Sequence, residues 1–150
     1  MIKIRKAIKD DLDVIYDLII GIAKHHNQEQ YVLTDKQELL KAGFDKNPKY
    51  GVLIAEFEGQ VAGYLSYTWN YSIWTGCDYM NIDDLFVWSK FRRQKSGKYL
   101  MEFAKDICKE KGIRLLRWEV EKDNLKAIDF YKRLGAKLTE KGIFRWELYS

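Results

Sequence analysis

Residues 91 to 100 read FRRQKSGKYL. An apolar run, IDDLFV, comes just before, and a helix-like run, KYLMEFAKDICKEKG, follows. A strand, a basic turn with one glycine and then a helix is the layout of a phosphate-binding loop. The first amides of a helix have no partner of their own and carry the positive end of its dipole. A lysine, Lys95, stands where a second glycine would let backbone close on a phosphate. A plain soluble helix start has the same outline. Between residues 88 and 114 nine lysines and arginines face three acids, a local +6 in a chain of net charge +4, so the remainder carries −2. That concentration suits a phosphorylated ligand or nucleic acid, and equally a solvated helix face.

The other reactive side chains narrow the chemistry by what they omit. Cys77 and Cys108 are far apart, with no metal or redox spacing, and in a reducing compartment they stay free thiols. His25 and His26 are adjacent and are the only histidines, so no zinc site is expected. There is no G-x-x-x-x-G-K-[ST], no G-x-G-x-x-G and no nucleophile elbow. Asp83 and Asp84 fall in a strand-like run, where neighbours point to opposite faces. Only one of them is expected to face a given pocket.

These residues need elements to position them. A chain of 150 residues, 47% hydrophobic and 32% charged, predicts one soluble domain over residues 1–150. No apolar run approaches the ~18 residues of a membrane span, and MIKIRKAIKDDLD lacks a signal-peptide core. A cytoplasmic protein without membrane contact is expected. IKIRKAI alternates as a strand, and Leu12, Ile15, Leu18, Ile19 and Ile22 recur at helical spacing, with Asp10 or Asp11 able to cap the start. TDKQELLKAGF reads as a second helix, with Thr34 and Gln37 as a capping box. GVLIAEFEGQVAGYLSYTWNYSIW reads as a hairpin turning at Glu58-Gly59. DYMNIDDLFVW is a strand, and a helix runs from the basic turn to Gly112. IRLLRWEVE is a strand, LKAIDFYKRLGA a helix ending at Gly135, and IFRWELY a last strand. The order β-α-α-β-β-β-α-β-α-β implies an α/β fold, a mixed sheet with helices on its faces.

That order, the turn FRRQKSG and the block NLKAIDFYKRLGA resemble the GNAT acetyltransferase superfamily over essentially the whole chain. TDKQELLKAGF, YSIWTG and IDDLFV resemble its branch of diamine, polyamine (spermidine/spermine) and thialysine acetyltransferases. The resemblance implies a mainly antiparallel twisted sheet and an enzyme that moves an acetyl group from acetyl-CoA to an amine by direct attack, without a metal. It places the coenzyme pyrophosphate on the turn formed by Arg92, Arg93, Gln94, Lys95, Ser96, Gly97 and Lys98. Lys95 departs from the family glycine. Helix-start amides still serve there if residues 95 to 98 are helical, with the Lys95 side chain turned away or laid against a phosphate.

The resemblance also assigns roles. Leu85, Phe86 and Val87 pair with the pantetheine arm, and the Val87 N–H is a candidate oxyanion donor. Asn124 and Ala127 contact the cofactor, Asn124 being also a good helix cap. Tyr131 donates a proton to the leaving thiolate, its reference pKa of roughly 10 lying above a thiol's roughly 8.5. A core tyrosine would look the same in the sequence. Asp83 draws the amine proton through water. By position His25, His26, Trp74, Trp118 and Glu119 line the acceptor groove, where aromatics hold an aliphatic amine or simply pack. His26, Ser72 and Lys141 replace acids of polyamine enzymes. A short diamine or a thialysine-like amino acid therefore fits better than a long polycation. The branch also implies a homodimer joined through its C-terminal strands. Acetylation of a protein or an antibiotic, and a non-catalytic acyl-CoA or nucleic-acid binding module, remain rival readings. Clustering of the basic residues at one turn, rather than along a groove, weighs against nucleic acid.

Overall fold

The computed structural model describes residues 1–149. They form two compact units, Met1–Trp118 and the chain from Glu119 onward. In the first, strand β1 (Ile2–Lys6) leads to helices α1 (Leu12–His25) and α2 (Lys36–Gly43). Strands β2 (Gly51–Phe57), β3 (Gln60–Ser72) and β4 (Cys77–Val87), helix α3 (Ser96–Glu110) and strand β5 (Leu116–Trp118) follow. The second unit holds α4 (Leu125–Arg133).

The five strands lie side by side in chain order. β1 to β4 pair antiparallel, and β4 and β5 pair parallel. A parallel pair needs a crossover, which α3 provides. The β2–β3 hairpin turns where expected. Glu58 and Gly59 both have positive φ, 50° and 78°, the handedness that suits a two-residue hairpin turn.

Four consecutive β2 residues, Val52 to Ala55, are buried, so both faces of the sheet are covered. Val52 and Ile54 join Ile15, Leu18, Leu39, Tyr64 and Phe86 in one core beneath α1 and α2. By alternation Leu53 and Ala55 turn to the other face. There α3 packs on β1 to β4 with Leu100, Met101, Ala104 and Ile107 buried.

Two caps differ from expectation. Asp35, not Thr34, caps α2 by accepting from the Glu38 N–H at 2.8 Å. Asp11 precedes α1 without capping it. Its carboxylate instead takes the two-pronged guanidinium of Arg5 at 2.7 and 2.8 Å, together with the Ile8 N–H at 2.7 Å. Arg5 also donates to Glu56 at 2.7 Å, so one arginine ties β1, β2 and the entry to α1 together.

The expected last strand is not formed. Residues 136–149 carry no helix or strand, and Ile143, Phe144, Trp146, Leu148 and Tyr149 are exposed. A strand exists through its ladder partner, and among its described residues the second unit offers no strand to pair with. β5 is likewise shorter than the run IRLLRWEVE. Among the described residues no helix is long and apolar enough to cross a membrane.

The Arg5 pair gives a testable pH dependence. Arg5 holds the Asp11 carboxyl below the usual carboxylate range, chiefly through its hydrogen bonds. A carboxylate depressed in the folded state stabilises the fold above its unfolded pKa, about 3.9, and the contribution is lost as pH falls through the lower folded value. Asp11→Ala should cost about 2–3 kcal/mol near pH 7 in urea unfolding, hydrogen bonds to charged groups being worth ~1.5–3. The gap from the parent should narrow as pH falls below the ordinary carboxylate range. A gap that does not change with pH would contradict the pairing.

Candidate active site

The β3–β4 ladder contains one irregularity that decides where the carboxylates go. Ser66 is opposite Asp84, and the next residue, Tyr67, is opposite Ile82. Asp83 is therefore an extra residue in β4 without a partner on β3, a β-bulge. The bulge breaks the strict alternation of the strand. Asp83 and Asp84 both line one cavity of about 150 Å³, together with Ile15, Ile19, Leu39, Tyr50, Val52, Tyr64 and Ser66. The expectation that only one of the pair faces a given pocket is corrected by this insertion.

The two carboxylates have different surroundings. Asp83 is exposed at the mouth, with the Asn81 amide donating to its Oδ1 at 3.0 Å. Its pKa is raised, first by loss of water around it and then by the charge of Asp84. Asp84 is half-buried and accepts from the Tyr64 hydroxyl at 2.9 Å, with Ser66 Oγ at 3.5 Å. Tyr64 is fully buried, and burial followed by the Asp84 charge raises its pKa, so it remains a donor across the working pH range.

Beyond the bulge β4 presents free backbone. The Trp88 N–H donates to the Ala62 C=O at 2.9 Å. Antiparallel alternation then turns the N–H and C=O groups of Leu85 and Val87 away from β3. On that side β5 pairs only with Met80 to Ile82, so the ladder within this unit stops before Leu85. The Val87 carbonyl is taken by Arg92 Nε at 3.0 Å, which pins the turn to the strand end.

The turn itself is a 3-10 segment, Ser89–Gln94, ending at Lys95. The helix starts at the next residue, while Lys95 itself is not helical. It has φ 63° and ψ 23°, a left-handed conformation that glycine adopts without strain. Lys95 thus keeps the backbone shape while carrying a side chain. The first bond of α3 runs from the Tyr99 N–H to the Lys95 C=O at 3.1 Å. The N–H groups of Ser96, Gly97 and Lys98 have no acceptor within the helix. Ser96 Oγ is buried with no hydrogen-bond partner among the described residues. Free amides, an orphaned buried hydroxyl and the exposed cations Arg92, Arg93, Lys95 and Lys98 fit the phosphates of a coenzyme.

The acceptor-side residues are more scattered than the sequence suggests. His25 and His26 sit at the end of α1, their rings 5.2 Å apart, with the His25 ring 6.3 Å from Phe86. His25 has its pKa lowered, by desolvation first and then by the Arg92 charge. The α1 side chains that do line the cavity are Ile15 and Ile19. Trp74 is at the tip of the β3–β4 connection and 99% exposed. Trp118 ends β5 half-buried, and Glu119 begins the second unit. Tyr64, Ser66 and Asn81 were missed as site residues. Period-2 spacing of Tyr64 and Ser66 along β3 was the available signal. A larger concavity of about 400 Å³ is lined by Gln60, Val61, Trp88, Ser89, Lys90 and Phe91. It holds no carboxylate, so size alone does not mark the site. Among the described residues no group of three or more His, Cys, Asp or Glu is placed to hold a metal.

In the second unit Asn124 caps α4, its Oδ1 accepting from the Ala127 N–H at 3.3 Å. The Asn124-x-x-Ala127 spacing is thus a capping bond in its own right. Tyr131 lies on this helix, and burial raises its pKa.

Residues 13–136 match the acetyltransferase (GNAT) family. The chain is similar to the thialysine N-epsilon-acetyltransferase of Bos taurus, 32% identical over 148 residues that cover 93% of this chain and 86% of the relative. Among solved structures it is similar to a possible acetyltransferase of Clostridium difficile 630, with 26% identity and a TM-score of 0.80 over 100% of this chain and 99% of that one. An aminoglycoside acetyltransferase from an uncultured soil metagenomic sample shares the fold, with a TM-score of 0.84 at 21% identity over 99% and 97% of the two chains.

The left-handed Lys95 generates a prediction. A side chain there costs about 1–2 kcal/mol, and glycine returns about 0.5–1 as backbone entropy. Lys95→Gly should leave the protein up to about 1 kcal/mol more stable in thermal unfolding, and should change coenzyme A affinity by less than about tenfold in calorimetric titration. A larger loss of affinity would make the Lys95 ammonium itself a phosphate ligand.

Proposed function

The chain belongs to the GNAT acetyltransferase family, whose members use acetyl-CoA as co-substrate, and we propose that it acetylates the primary amine of a small aliphatic molecule. The observation that carries this reading is the cavity that Asp83 and Asp84 share. Its walls are Ile15, Ile19, Leu39 and Val52, which suit an alkyl chain, and its carboxylates suit an ammonium. About 150 Å³ admits a short chain and not a bulky polycation. A short diamine or an amino acid with a thialysine-like side chain fits that description. The likeness to thialysine acetyltransferases supports the second.

In this proposal Ser96, Gly97 and Lys98 hold the coenzyme phosphates through their amides, helped by Ser96 Oγ and the surrounding cations. Leu85 and Val87 offer the pantetheine arm a strand edge. When bound, acetyl-CoA supplies the activated acetyl thioester. An amine of pKa near 10 is almost wholly protonated at neutral pH, so a base is needed. Asp83 stands at the mouth with a raised pKa, which makes it a stronger base than an ordinary aspartate. It takes the amine proton directly or through one water. The Val87 N–H, turned away from β3, is the proposed donor to the developing oxyanion. Tyr131, kept protonated by its raised pKa, is the proposed source of the thiolate's proton.

Incubation with acetyl-CoA and a panel of short amines should release free thiol and acetylated amine. Asp83→Asn should depress kcat/KM most near neutral pH and recover part of the loss as pH rises and free amine appears. Tyr131→Phe should lower kcat by ~10²–10⁴ while leaving KM for acetyl-CoA nearly unchanged. An equal fractional loss at every pH for Asp83→Asn would make Asp83 an electrostatic anchor and not a base. A kcat within about twofold for Tyr131→Phe would remove the acid role.

A further inference from the structure

The cavity beneath α1 and α2 has two chemically different ends. One residue from each of three strands forms its floor. Val52 is opposite Ser66 in the β2–β3 ladder, and Ser66 is opposite Asp84 in the β3–β4 ladder. All three line the cavity. The row crosses two strand spacings of ~4.8 Å, so the floor runs roughly 10 Å from the carboxylates on β4 to Val52 on β2. Tyr50, two residues before Val52, also lines the cavity, and its hydroxyl donates to the Leu39 carbonyl at 2.6 Å. Leu39 is thereby brought to the β2 end. Charge gathers at the β4 end, and Val52, Leu39 and Tyr50 make the β2 end uncharged.

Among the described residues, Leu39 is the side chain that α2 gives the cavity, and its place is fixed from the β2 side. Besides the Tyr50 bond, the Lys49 N–H donates to the Ala42 carbonyl at 2.8 Å. Two consecutive residues thus fasten α2 to the segment that enters β2. Gly43 makes room for this seat, since a Cβ there would collide with the Tyr50 ring and hydroxyl. Leu39 and Val52 are both buried. A wall that is packed and held by backbone bonds does not give way to an extra methylene without cost.

We propose that Leu39 sets the length of alkyl chain that the cavity accepts, and that Tyr50, seated on Gly43, is the positioning residue that holds Leu39 at a fixed distance from the carboxylates. The proposal rests on the small-amine acetyltransferase reading above. The acceptor nitrogen stays with Asp83 and Asp84, and the hydrocarbon lies along the row from Ser66 to Val52. The Tyr50 proton is committed to the Leu39 carbonyl, so the β2 end selects by length and shape and not by a hydrogen bond.

The test runs the full chain against straight-chain primary amines from ethylamine to octylamine, whose tails carry no charge, so that length is the only variable. Acetylation gives kcat/KM, and methyl NMR shifts of Leu39 and Val52 without acetyl-CoA give dissociation constants. In the parent, kcat/KM should rise while added methylenes are buried and fall sharply once the chain outgrows the cavity. The Leu39 and Val52 signals should move with the amines that fit. In Leu39→Ala the peak should shift to longer amines, with about tenfold gained at the first length that the parent rejects. In Tyr50→Phe, which keeps the ring and loses the bond, the fall beyond the peak should become shallower. A packing role alone would lower kcat/KM by one factor at every length and leave the peak in place. Leu39→Val, a smaller change, gives the same reading where Leu39→Ala does not fold. Amines acetylated with an unshifted peak in the folded Leu39 variants, or with no fall toward octylamine in the parent, overturn the proposal and leave the acetyltransferase reading standing. If no amine is acetylated, that reading falls and the dissociation constants decide. A length limit that moves in Leu39→Ala, read at Val52, keeps the role of Leu39, and methyl signals that no amine moves overturn it.

Discussion

One unpaired residue in β4 organises the chemistry of this protein. Without the insertion of Asp83, the β3–β4 ladder would run in even register, and consecutive side chains would alternate between the two helical layers. One carboxylate would then point beneath α1 and α2 and its neighbour toward α3, where Leu100 and Ala104 are fully buried and offer no partner. The bulge removes that conflict by delivering both carboxylates to the same side. A bulge also bends its strand and raises the local twist. Here it lies between the part of β4 that pairs with β5, Met80 to Ile82, and the part that does not, Leu85 to Val87. The residue that supplies the carboxylate thus also marks where the sheet opens.

The surrounding structure is arranged to hold that opening in shape. The α1–α2 layer lines the cavity beside the carboxylates with aliphatic side chains. Tyr64 runs through the same core and ends on Asp84. At the far end of β4, Arg92 ties the basic turn to the Val87 carbonyl, and the left-handed Lys95 sets the angle at which α3 begins. Close backbone approach recurs here. A Cβ on Gly63 would meet the Phe86 carbonyl oxygen at 2.4 Å, and one on Gly21 would meet the Trp88 ring at 2.6 Å. Glycine at these two positions lets β3 and α1 lie close against the strand end that carries the site.

Much of this was readable from residue order because it is local. Strand alternation, helix periodicity, the Glu58-Gly59 turn and the Asn124 cap each depend on a few neighbours. The basic turn after β4 was equally visible, since a strand, cations, a glycine and a helix follow one another in sequence. What escaped depends on pairing between distant segments. The bulge at Asp83 is defined by β3, and no property of the run IDDLFV reveals it. Asp11 reads as a helix cap until Arg5 is placed beside it. The Tyr64 hydroxyl looks like core until the register puts Asp84 within reach. His25 and His26, placed at the acceptor groove by the resemblance, end helix α1, while Ile15 and Ile19 line the cavity. IFRWELY has the composition of a strand, but composition does not provide a ladder partner.

The pairing of β3 with β4 is open to direct observation by interstrand nuclear Overhauser contacts in a uniformly labelled sample. With Asp83 bulged, the contacts of directly opposed residues should join Ser66 to Asp84, Tyr67 to Ile82 and Thr68 to Asn81. A continuous register, with Tyr67 opposite Asp83 and Thr68 opposite Ile82, would return the two carboxylates to opposite faces and remove the shared cavity on which the functional reading stands.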